Sequence, residues 1–154
     1  MVYVAFLRGI GPTNPNMRGE KLRRVFEGLG FKNVRTVLAS GNVIFQSGSR
    51  NAKSLEGSIE TALHDRLGFR TTALVRTRDA LRALTAPKIF GNKTDTPTTR
   101  LNVTFLKKGG QVASVIDLTR TRTPEIMRKL EREHGREITT RTWKTILRIL
   151  REVD

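Results

Sequence analysis

Apolar and polar positions change period several times along the chain, and each change marks an element. From Val2 to Leu7 both alternating sets are apolar: Val2, Val4 and Phe6 on one side, Tyr3, Ala5 and Leu7 on the other. A strand of that kind needs cover on both faces of its sheet. Residues 9–16 form a loop with two glycines and two prolines, and Asn16 reads as an N-cap. Leu22, Val25, Phe26 and Leu29 then fall at i, i+3, i+4 and i+7, the stripe of an amphipathic helix that Gly30-Phe31 ends.

Residues 34–45 read as two short strands joined at Ser40-Gly41-Asn42, with β-branched and apolar flanks and turn chemistry between them. Leu55, Ile59, Ala62, Leu63 and Leu67 mark a second helix, which ends in Leu67-Gly68-Phe69 just as the first ends in Leu29-Gly30-Phe31. Residues 71–75 give a fourth strand. The order βαββαβ, in two similar halves, predicts a ferredoxin-like unit.

The second half opens with a short helix over residues 78–84 and a polar surface connection over 87–99. Residues 101–106 and 112–118 form a second hairpin around Gly109-Gly110. Thr123-Pro124-Glu125 starts a helix that Gly135 stops. Thr139 or Thr140 caps a last helix running to about Glu152. Trp143, Ile146, Leu147, Ile149, Leu150 and Val153 cover one side of it, and Arg141, Lys144, Arg148 and Arg151 the other. The expected fold is therefore α+β, a single compact domain over 1–154. A ferredoxin-like half (1–77) would have one sheet face covered by its own helices, and a second α+β half (78–154) would pack on the other.

Composition narrows the setting. The 154 residues are 37% apolar, enough for a folded domain, and no apolar run approaches a membrane span. No secretory leader pattern opens the chain, and cysteine is absent, which removes disulfides, thiolate nucleophiles and cysteine metal sites. These features point to the cytoplasm. The net charge of +15 is spread evenly, 12 Lys/Arg against 5 Asp/Glu in residues 1–77 and 17 against 9 in residues 78–154. Such a surface attracts phosphates. An arginine-rich source proteome with a merely solvated exterior explains the same number, and 6% aromatics supplies few stacking platforms.

In a βαββαβ unit the loop after the first strand and the turn between the second and third leave the same end of the sheet. That topology gathers Arg8, Gly9, Gly11 and Asn16 with Ser40, Gly41 and Asn42, and the entry to the fourth strand adds Arg70. Backbone N–H groups at a helix start, glycines that admit close approach and an arginine fork together suit an anionic ligand. The alternative is architectural: Gly41 permits the turn while Ser40 and Asn42 serve local backbone groups. Neither a phosphate-loop lysine pattern nor a dinucleotide glycine pattern follows. His64 and His134 lack ligand partners at metal spacing, and no nucleophile elbow or catalytic triad pattern appears. No cofactor or metal is expected, and catalysis would require acid–base groups converging from distant segments.

Three stretches carry a resemblance: residues 3–10 (Tyr-Val-Ala-Phe-Leu-Arg-Gly-Ile), the region 17–45 with its Leu-Gly-Phe and Ser-Gly-Asn-Val-Ile-Phe, and residues 139–145 (Thr-Thr-Arg-Thr-Trp-Lys-Thr). Together they resemble the bacterial family called domain of unknown function 1697. The resemblance implies an α+β fold built on ferredoxin-like units and brings no established activity. Arg8, Gly9, Ser40, Gly41, Asn42, Arg76, Arg141 and Trp143 sit at its motif positions. Gly11-Pro12-Thr13 departs from its Asn-Val-Gly-like continuation, and Thr142 stands where it has Asn. Its Tyr- and Gly-rich stretch ahead of a Ser-Lys pair has no counterpart between Val112 and Gly135.

The leading functional expectation is non-catalytic binding of an anionic ligand, nucleic acid first, through the basic surface and the loop edge. Two alternatives stand beside it: a small enzyme acting on a phosphorylated or carboxylated metabolite at that edge, and a structural or self-associating module. Oligomeric state is not written in the sequence.

Overall fold

The computed structural model describes residues 1–8, 18–38 and 41–153. The chain divides into two compact units, Met1–Ala80 and Leu81–Glu152, with Val153 assigned to the first.

The first unit runs β1 (Val2–Leu7), α1 (Gly19–Gly28), β2 (Lys32–Thr36), β3 (Asn42–Gln46), α2 (Ala52–Leu67) and β4 (Ala73–Thr77). Its four strands are ordered β2-β3-β1-β4 with every neighbouring pair antiparallel, which is the ferredoxin-like arrangement. Tyr3, Ala5, Val43, Phe45 and Val75 meet Leu22 and Phe26 of α1 and Ile59 and Leu63 of α2 in one core. Val4, Phe6, Ile44 and Leu74, on the opposite sheet face, are buried as completely. Alternate apolar residues on both sides of β1 therefore do what their pattern predicts. Both Leu-Gly-Phe endings turn the chain through a left-handed glycine, with φ of 88° at Gly30 and 74° at Gly68.

β4 is an edge strand, and α2 closes its outer side with carboxylates. Glu60 Oε2 accepts from the Ala73 N–H at 3.0 Å and Glu56 Oε2 from the Val75 N–H at 2.8 Å. Two residues along a strand and four along a helix both span about 6–7 Å, so the i, i+4 pair matches the strand repeat. An edge that would otherwise template pairing with another chain is occupied.

The second unit begins four residues after the end of β4, at Leu81, with α3 (Arg78–Arg82) straddling the boundary and a 3-10 turn at Ala83–Thr85. β5 (Thr99–Leu106), β6 (Gln111–Asp117), α4 (Thr123–His134), β7 (Ile138–Thr142) and α5 (Trp143–Glu152) follow. Its sheet has the order β6-β5-β7, all antiparallel. Leu106, Leu130 and Ile138 form a small core with Val112, Ile126 and Met127 against it. Thr104 and Thr140 are cross-strand partners whose hydroxyls lie 2.7 Å apart.

β7 is the element the sequence reading missed. Thr139 and Thr140 were expected to cap the last helix; they lie in a strand, and α5 starts later, at Trp143. Thr142 takes the capping part, its Oγ1 accepting from the Thr145 N–H at 3.3 Å. Four of the five residues of β7 are β-branched, the composition strands favour.

Candidate functional site

At one end of the four-stranded sheet, three separate segments are tied together through their backbones. The Leu7 N–H donates to the Gly41 carbonyl at 2.9 Å, and the Arg8 N–H to the Thr72 carbonyl at 2.9 Å. The Thr71 hydroxyl donates to the Arg8 carbonyl. Arg8 is thus gripped by the chain entering β4, and the exposed Arg70 lies in that same entry, immediately before Thr71. Of the residues expected at this rim, the structure brings Arg8, Gly41, Asn42 and Arg70 to one sheet end. Gly9, Gly11, Asn16 and Ser40 lie outside the described residues, and α1 starts at Gly19 after Arg18.

Asn42 holds the rim from within. It is 1% exposed. Its Nδ2 donates to the Val37 carbonyl at 3.0 Å while the Val37 N–H donates to its own carbonyl at 2.9 Å. The connection spends backbone freedom to do so: Gly41 has φ 75°, and Leu38, 45% exposed, has φ 59°, a left-handed setting unfavourable to leucine. Asn42→Ala is expected to cost about 1–3 kcal/mol, the penalty for stranding a buried acceptor, measured as a lowered denaturation midpoint.

The basic face expected on the last helix is smaller than its sequence suggested. Arg141 belongs to β7, not to α5. Its Nη1 donates to Thr139 Oγ1 at 2.6 Å and to the Thr140 carbonyl at 3.0 Å, and burial pushes its pKa down to about 10. It remains charged at neutral pH. Lys144, Arg148 and Arg151 are exposed on α5 at helical spacing, and Arg148 Nε lies 3.5 Å from Glu152 Oε1. Such an exposed pair contributes little.

The family described as protein of unknown function (DUF1697) matches residues 1–134, most of the chain. The chain belongs to the DUF1697 family. No curated protein matches it. Among solved structures it is similar to the conserved bacterial protein SP0830 from Streptococcus pneumoniae, with a TM-score of 0.71 and 18% identity, covering 99% of this chain and 98% of that one. At that identity the likeness speaks for the fold. No helix among the described residues of this DUF1697 protein is long and apolar enough to cross a membrane.

The positions that resemble the family's motifs fall into distinct surroundings. Arg8, Gly41 and Asn42 form the rim. Arg76, on β4, is partly buried with Nη1 3.7 Å from Glu56 Oε2, and its pKa is lowered because burial outweighs the attraction of that carboxylate. Trp143, at the start of α5, meets Phe90 edge-on at 5.3 Å between ring centroids. Both rings line a surface recess of about 290 Å³ together with Lys88, Lys93, Asp95 and Leu101. Sequence reasoning passed over this recess because it treated residues 87–99 as a plain connection and Trp143 as helix core. The signal available was the chain's one tryptophan, which lies in the stretch 139–145 that resembles the family's C-terminal motif.

Proposed function

We propose that this DUF1697 protein binds nucleic acid without catalysing a reaction on it, through its positively charged surface. The observation that carries the reading is the row of exposed cations on α5, Lys144, Arg148 and Arg151, in a chain of net charge +15. The row runs along about 10 Å of one helix face at 1.5 Å per residue. A stripe of that kind lies along a phosphate backbone and is read by charge, not by base sequence. The rim of the first unit, where Arg8 and the exposed Arg70 share one sheet end, supports the same reading as a second place where phosphate is favoured.

The test is a fluorescence-anisotropy titration of a labelled oligonucleotide against the wild type and the triple variant K144Q/R148Q/R151Q. These side chains are exposed, so folding is retained. Loss of three phosphate contacts should flatten the dependence of log K on log salt by about 2 for a single strand. Equal slopes for the two proteins would remove α5 from the interface.

A further inference from the structure

Beside the cationic row, the recess at Phe90 and Trp143 has the makings of a base site. We propose that it takes one base of a single-stranded nucleic acid, stacked on Trp143, with Lys88 and Lys93 holding the flanking phosphates. This rests on the nucleic-acid reading above and adds to it a position and a strand preference.

The size fits first. About 290 Å³ is at the small end of ligand cavities and holds one planar ring system, not a folded peptide or a duplex. The aromatic geometry fits next. Phe90 is buried, and its edge-on contact at 65° fixes the indole while covering at most one of its faces. Trp143 itself keeps intermediate exposure, and its indole N–H has no hydrogen-bond partner among the described residues. A partly exposed indole held against a buried ring is the kind of platform that single-strand binders use, since every base offers a π-face.

Charge completes the case. Lys88 and Lys93 are exposed at the recess and neither makes an ion pair among the described residues. Asp95 also lines it, with Oδ1 accepting from the Leu101 N–H at 3.0 Å. Two cations against one carboxylate, itself engaged with the backbone, leave the lining net positive. An uncharged aromatic ligand would gain nothing from the lysines, and a free phosphate nothing from the indole; a nucleotide unit uses both.

The chain's one tryptophan makes the test direct, because intrinsic fluorescence reports on Trp143 alone. Titration with a single-stranded homopolymer should quench and shift that emission, at lower concentration than the corresponding mononucleotide. Trp143→Ala should weaken binding about 5- to 100-fold and Trp143→Phe much less. The variant K88Q/K93Q, whose exposed substitutions leave the fold alone, should flatten the salt slope by about 1.4. Binding that leaves the emission and the K88Q/K93Q slope unchanged overturns the recess and spares the wider reading. Quenching by duplex as strong as by single strand also overturns it, and no binding at all overturns both.

Discussion

Glu56→Ala is expected to lower the unfolding free energy by about 3–5 kcal/mol, the range for removing one partner of a buried ion pair. Glu56 is 1% exposed on α2. Its Oε2 accepts from the Val75 N–H at 2.8 Å and lies 3.7 Å from Arg76 Nη1, while Oε1 lies 3.6 Å from Lys53 Nζ. Alanine would strip the β4 edge of an acceptor and leave a partly buried guanidinium without its carboxylate. Glu56→Gln keeps the acceptor and the volume, so it should lose clearly less. Urea denaturation followed by far-UV circular dichroism measures both. A loss below about 1 kcal/mol for the alanine variant would mean that the carboxylate is not the tie between α2 and β4.

Phe45→Ala should be comparably severe, about 3–5 kcal/mol by the range for large aromatic truncations in a core. Phe45 is fully buried on β3. Its ring centroid lies 5.6 Å from that of Tyr3, 5.5 Å from Phe26 and 4.5 Å from Phe31. One truncation therefore opens a cavity where β1, α1 and the start of β2 converge. Phe45→Leu retains most of the volume and should cost about 1.5 kcal/mol or less. Against a total stability of about 5–15 kcal/mol, either alanine variant removes a large fraction. The same denaturation curves apply, and a Phe45→Ala protein as stable as Phe45→Leu would contradict the packing described.

Most of the first unit was legible because its signals are local. The two-sided apolar strand at Val2–Leu7, the helical stripes and the paired Leu-Gly-Phe endings each name an element without reference to the rest. Topology then follows from the βαββαβ order, and with it the ties of Leu7 to Gly41 and of Arg8 to Thr72 at one sheet end. What stayed hidden depends on partners distant in sequence. Glu56 and Glu60 look like ordinary helix-surface charges until β4 supplies the N–H groups they accept from. Thr139 and Thr140 suit a helix cap and a strand equally well, and only pairing with β5 decides for the strand. That decision carried Arg141 off the helix face and into a partly buried setting. Likewise Phe90 and Trp143, more than fifty residues apart, become one recess only through folding.

Whether the positive charge of this DUF1697 protein is an instrument or an accident is decided most directly by one titration of the wild type. Affinity for a single-stranded oligonucleotide would be measured from low to moderate salt. A straight fall of log K with log salt, with a slope corresponding to several displaced counterions, is the predicted result. Affinity that stays level across that range, or no association even at the lowest salt, would contradict it.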